Sequence, residues 1–129
     1  MLKKTITYTD YNGNERTEDF YFNLSKAECM ELEMGTTGGL SEAIKKMIEL
    51  QDTPSIIRLV KDWVLKAYGE KSLDGKRFVK SEEIAAAFSQ TEAYSQLFME
   101  LATNAEAAAE FFNNIIPKNV DEKVIILSK

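Results

Sequence analysis

The sequence predicts an α-dominated α+β fold: an N-terminal β-hairpin followed by about six helices in a compact single domain. Three observations predict it. Two early segments alternate apolar and polar residues on either side of Asn12-Gly13, the pattern of a hairpin with one buried face. From Ser25 onward the apolar residues recur at helical spacing instead. Helix start and stop signals punctuate that second stretch. The domain is expected over residues 1–117, with the hairpin in 2–24 and helices in 25–116. Residues 118–129 form a C-terminal tail, either an added strand or flexible.

In the first segment Leu2, Ile6 and Tyr8 share one face, and Lys3, Thr5, Thr7 and Thr9 the other. In the second, Phe20, Phe22 and Leu24 share a face. Asn12-Gly13 suits the centre of a type I′ turn between them. An isolated hairpin is marginal in water, so its apolar face must pack on helices. Ser25-Lys26-Ala27-Glu28 reads as a capping box, with Gly35 able to end the helix it opens. Leu24 and Cys29 then occupy the two positions of a hydrophobic staple.

Leu40, Ala43, Ile44, Met47 and Ile48 mark a second helix. Thr53-Pro54 reads as the cap and first residue of a third, whose residues Ile56, Ile57, Leu59, Val60, Trp63, Val64 and Ala67 suit burial on most sides. Tyr68-Gly69 stops it, and residues 69–80 read as a polar loop around Asp74-Gly75. Ser81 caps a short helix carrying Ile84 and Phe88. Ser89-Gln90-Thr91-Glu92 and Thr103-Asn104-Ala105-Glu106 read as two further capping boxes. They open helices carrying Tyr94, Leu97, Phe98 and Leu101, and then Phe111, Phe112, Ile115 and Ile116. Pro117 ends the last.

Charge leans acidic, with 16 Lys+Arg against 21 Asp+Glu and a net charge of −5. That lowers the expectation of nucleic-acid binding, which rewards clustered positive charge. The one basic cluster, Lys71, Lys76, Arg77 and Lys80, is broken by Glu70 and Asp74 and reads as a solvated loop. Cys29 is the single cysteine, so no intramolecular disulfide can form. The N-terminus lacks the apolar core of a secretory signal, and no apolar run approaches a membrane span. The expected location is the cytoplasm, and the sequon at Asn23-Leu24-Ser25 is then a chance match.

The search for chemistry is nearly empty. Histidine is absent, which removes an imidazole base, Ser-His and Cys-His nucleophile systems, and the usual zinc sites. Gly69 to Lys76 approximates a phosphate-binding loop but has five spacers rather than four, with Arg77 at the hydroxyl position. Asp10, Asn12 and Asn14 mimic the start of a calcium loop, yet Glu15 replaces its glycine and Tyr21 its last ligand. Gly35, Gly38 and Gly39 read as a connection between helices. Paired acids such as Glu82-Glu83 stabilise helix starts. No catalytic, cofactor or metal residue is expected, and no enzyme activity.

Over residues 68–116 the wording YGEKSLDGKRFVKS, followed by FSQTEAYSQLFMELATNAEAAAEFFNNIIP, resembles tail assembly chaperones of long-tailed bacteriophages of Gram-positive hosts. The likeness extends over most of residues 1–117. It implies a non-catalytic assembly factor in the cytoplasm of the infected or lysogenic cell, absent from the mature virion. Its implied partners are the tape measure protein, kept soluble, and the major tail protein, whose subunits it helps recruit. Many such families also yield a longer product by ribosomal frameshifting, in which case residues 118–129 would be unique to the short form. The alternatives are a minor virion or head–tail connector component and, further off, a small regulatory or nucleic-acid-binding protein.

The family has no partner-binding motif that carries over by position. Candidate contact residues are therefore the chain's own apolar stretches: Phe98, Phe111, Phe112, and the tail residues Val124, Ile125, Ile126 and Leu127. Met30, Met34 and Met99 would be adaptable contacts if exposed, though core use is the first expectation. A homo-oligomer is also expected to be accessible, through the hairpin edge or the Val124–Leu127 run.

Overall fold

The computed structural model describes residues 1–35, 39, 42, 45, 49 and 53–117. The expected helix at Leu40–Ile48 and the tail at 118–129 lie outside the described residues. β1 (Leu2–Thr9) and β2 (Glu15–Phe22) pair antiparallel, in register from Leu2↔Phe22 to Thr9↔Glu15. The alternation works as read: Ile6, Phe20 and Phe22 are buried, whereas Thr5, Thr7, Thr17 and Asp19 face out. On the outer face Thr5 donates to Asp19 at 2.6 Å, and the Thr7 and Thr17 hydroxyls meet at 2.9 Å.

The hairpin turn differs from the expected type I′. The loop is Tyr11-Asn12-Gly13, closed by Gly13 N–H to Asp10 C=O at 3.0 Å and Asp10 N–H to Asn14 C=O at 2.8 Å. Gly13 has φ +84°, the left-handed residue of a three-residue loop with a bulge. The Asp10 side chain decides this. Its Oδ1 accepts from the N–H groups of Asn12 and Asn14, both at 2.9 Å, and its Oδ2 accepts from Arg16 Nε at 2.5 Å. An aspartate that organises its own turn overrides the Asn-Gly preference.

α1 (Lys26–Gly35) opens with the capping box as read. Glu28 N–H donates to Ser25 Oγ at 3.1 Å, and Glu28 Oε1 accepts from Ser25 N–H at 2.9 Å. α2 (Thr53–Ala67) buries one stripe, Val60, Trp63, Val64 and Ala67, and leaves Ile57 exposed. It is thus amphipathic rather than buried on most sides.

Residues 69–80 are not simply a loop. They hold β3 (Tyr68–Lys71) and β4 (Phe78–Val79), a second hairpin that extends the antiparallel sheet to the order β1-β2-β3-β4. β3 joins through Phe22↔Tyr68 and Tyr21↔Gly69. Gly69 is required there by space, not by backbone angle. A Cβ at that position would stand 2.7 Å from a Phe78 ring carbon and 2.9 Å from the Val79 carbonyl oxygen.

α3 (Glu82–Ser89), α4 (Glu92–Ala102) and α5 (Ala105–Ile115) follow with very short connections. Ser81 caps α3 as expected, accepting from Ile84 N–H at 3.0 Å. The next two caps fall later than the boxes suggest. Thr91, not Ser89, caps α4, and Asn104, not Thr103, caps α5. Ser89 and Thr103 belong to the ends of the preceding helices, where their hydroxyls donate to the carbonyls of Ala86 at 2.7 Å and Met99 at 2.6 Å. Ile116 turns extended (ψ 131°) before Pro117, as the residue preceding proline must.

One core joins these elements. Phe22 is fully buried, its ring 5.2 Å from Phe111, 5.6 Å from Tyr68 and 5.8 Å from Phe88. Tyr68 stacks on Phe88 at 4.1 Å, and Trp63 meets Phe112 edge-on at 5.0 Å. Leu24 and Cys29 are both buried, at the staple positions of α1. Among the described residues no buried side chain is polar or charged.

A polar clamp closes the junction between β2, α1 and β4. Lys80 Nζ donates to the Asn23 carbonyl at 2.6 Å and to both Glu28 carboxylate oxygens at 2.7 and 2.8 Å. Burial pushes the Glu28 carboxyl up, but Lys80 and the Ser25 N–H together outweigh it and hold it below its usual value.

Two outcomes follow for stability. Gly69→Ala is expected to lower stability by about 1–3 kcal/mol, because the methyl meets strand backbone that cannot step aside freely. An unchanged urea midpoint would count against this. Lys80→Met is expected to cost about 2 kcal/mol near neutral pH through its lost charged hydrogen bonds. Glu28 titrates lower in the folded chain than in the unfolded one, so its contribution is complete above the ordinary value of 4.5 and is lost as pH falls through the folded value. The gap between wild type and Lys80→Met should therefore narrow on acidification below pH 4.5, read from urea unfolding across the acid range.

Candidate partner-binding surface

The aspartates of the two near-miss motifs are engaged by their own loops. Asp10 is held below the usual carboxylate range by the Arg16 guanidinium and by the Asn14 N–H of its own loop. Asp74 is held low by the Ser72 hydroxyl and the Lys76 N–H. In that β3–β4 loop the Ser72 hydroxyl donates to Asp74 at 2.6 Å and accepts from Arg77 N–H at 3.0 Å, while Gly75 takes φ +74°. The Tyr8 hydroxyl donates to Glu18, which raises its pKa. The nearby Glu92 carboxylate raises the Tyr11 hydroxyl in the same direction.

Among the described residues no three His, Cys, Asp or Glu side chains gather as a metal site. Buried side-chain polar atoms without a partner are likewise absent there. What the surface offers is shape, apolar area and charge.

The apolar candidates fall in different environments. Phe111 and Phe112 are enclosed in the core, against Phe22 and Trp63 respectively. Phe98 is half-buried on α4, its ring 5.9 Å from that of Tyr94. Val124, Ile125, Ile126 and Leu127 lie outside the described residues. The methionines reverse the expectation of core use. Met30, Met34 and Met99 are exposed, Met34 by 85% and Met99 by 55%. Sequence reasoning named these residues but had no signal for which side of their helices faced out. α1 in particular has too few apolar residues to define a stripe.

Residues 81–117 carry Glu82, Glu83, Glu92, Glu100, Glu106 and Glu110 and neither lysine nor arginine. All six glutamates are exposed, so α3, α4 and α5 present an acidic exterior. Where β1 meets α4 and α5, a groove of about 230 Å³ opens to solvent. Leu2, Leu101, Ala107 and Phe111 form its apolar lining; Lys4, Glu100, Glu110 and Asn114 are its polar residues. Lys4 Nζ and Glu100 Oε1 stand 3.3 Å apart across it. Beside it Gln96 Nε2 donates to the Thr7 carbonyl at 2.9 Å. Among the described residues no helix is long and apolar enough to cross a membrane.

A family model described as phage tail assembly chaperone matches residues 1–126. No curated protein and no solved structure matches the chain. The match spans nearly the whole sequence, and the chain belongs to the phage tail assembly chaperone family.

Proposed function

We propose that this member of the family binds the tape measure protein of a long-tailed phage of Gram-positive hosts and keeps it soluble during tail assembly. It also helps recruit major tail subunits, acts in the cytoplasm of the infected or lysogenic cell, and leaves before the virion is complete. The observation that carries this reading is the family match over residues 1–126. Family membership implies interaction with phage tail proteins and a role without catalysis.

The surface chemistry supports it. A long, apolar, helix-rich client needs adaptable apolar contacts, which Met99 beside Phe98 supplies on α4 and Met34 on α1. A complex that covers apolar client surface must itself stay dispersed, and the acidic exterior of α3 to α5 favours that. The half-buried Phe98 remains the aromatic contact on this surface. The enclosed rings of Phe111 and Phe112 act by fixing the helices that present it.

The test is co-expression with the tape measure protein encoded nearby, followed by a solubility assay and pull-down. The client is expected to be soluble and to co-purify only when this chain is present. Met99→Glu is expected to weaken capture at least tenfold with little change in stability, since an exposed side chain is replaced. A client that behaves identically with and without the chain would sink the proposal. Recovery of the chain from purified particles would instead assign it to the virion.

A further inference from the structure

We propose that the C-terminal tail of the same chain docks its apolar run, Val124–Leu127, into the groove between β1, α4 and α5. The groove sets an apolar strip beside the polar residues Lys4, Glu100, Glu110 and Asn114. Its lining is apolar at Leu2, Leu101 and Ala107, and one wall is the edge of a sheet. Asp10 and Asn14 form a hydrogen-bonded pair, so by the two-residue alternation of an antiparallel ladder the N–H and C=O groups of Lys3, Thr5 and Thr7 point away from β2. The bond from Gln96 to the Thr7 carbonyl fits that assignment. The outward groups of Lys3 and Thr5 therefore line the sheet edge beside the groove, where another extended segment can pair with them.

Chain geometry selects the tail as occupant. Leu24 N–H donates to the Ile115 carbonyl at 3.1 Å, which fixes the end of α5 at the sheet end where Leu2 faces Phe22. Asn114 is itself a groove residue, and the described chain ends at Pro117. Val124 follows about seven residues later, a reach of up to roughly 23 Å in extended chain, ample for a groove that begins where α5 ends. Lys123, next to the run, can pair with Glu110 at the groove, since Glu100 there is already paired with Lys4. The family match also continues through Ile126, into the run itself. Docking covers the half-buried Leu2 and Ala107 and gives the edge of β1 a partner. A client that uses this groove must displace the tail.

The experiment needs no client, so its failure leaves the proposed function standing. Hydrogen exchange of the Thr5 amide and the methyl resonances of Leu2, Leu101 and Ala107 are compared in three proteins. These are the full chain, the chain ending at Pro117, and the full chain with Ile125→Asp and Ile126→Asp. Both altered proteins are expected to lose protection at Thr5 by at least about tenfold and to show the same methyl shifts. The full chain is expected to show no dependence on protein concentration. Methyl resonances and exchange unmoved in both variants would overturn the proposal. Effects that grow with concentration would overturn it too, by placing the tail in the groove of a second copy. Unfolding of both variants would make the tail part of the core, which also overturns docking.

Discussion

The buried face of the first hairpin is the constraint from which the rest of the structure follows. Two strands in water do not hold Ile6, Phe20 and Phe22 away from solvent by themselves. Phe22 is enclosed only because three rings from distant parts of the chain, Tyr68, Phe88 and Phe111, converge on it at 5.2–5.8 Å. Each ring comes from a different element: β3, α3 and α5. Fixing Phe22 therefore fixes where the second hairpin joins and where two helices lie. Truncating a ring at such a junction leaves a cavity that several elements line, typically costing about 3–5 kcal/mol.

Among the described residues the core buries no polar side chain, which pushes polar requirements to the element ends, and the chain meets them with shared groups. α3, α4 and α5 are too short to persist alone, so their ends must close cheaply and their faces must pack. Thr91 Oγ1 accepts from Tyr94 N–H at 3.1 Å and donates to the Phe88 carbonyl at 2.7 Å. One hydroxyl thus starts α4 and finishes α3. Glu28 acts likewise, closing the cap of α1 with one oxygen and clamping Lys80 with both. Such sharing explains why helices of eight to eleven residues can follow one another with almost no linker.

That same sharing sets what the sequence could disclose. The first hairpin, α1 and the caps at Ser25 and Ser81 were legible because each rests on a local pattern that nothing else competes for. The boxes at Ser89 and Thr103 were misplaced because a serine or threonine between two abutting helices can serve either one. The second hairpin was hidden for another reason. β3 reads YGEK, polar beyond Tyr68, and its stability comes from Phe22 and Tyr21 far back in the chain. Gly69 looked like a helix stop but is a site of close approach, a fact carried by Phe78 across the strand pair. The proposed contact surface was the least legible part. Methionine is equally at home inside and outside, and an apolar Phe111-Phe112 pair reads alike whether it faces the core or a client.

The proposed function rests on what the fold leaves over once its own needs are met. The loop carboxylates of Asp10 and Asp74 are engaged by their own turns, and Lys80 is committed to Glu28. The exposed methionines and the glutamates of α3 to α5 are not required for the core, and their properties answer opposite hazards. Exposed thioethers adapt to apolar surfaces of many shapes, but a protein displaying them invites contact with its own copies. The glutamates of residues 81–117, of which Glu100 pairs with Lys4, make two such faces repel while leaving uncharged apolar segments free to approach. Under the proposed function, selectivity for a client over self arises from charge pattern, with no binding motif. That is the kind of recognition a sequence search for conserved chemistry cannot see.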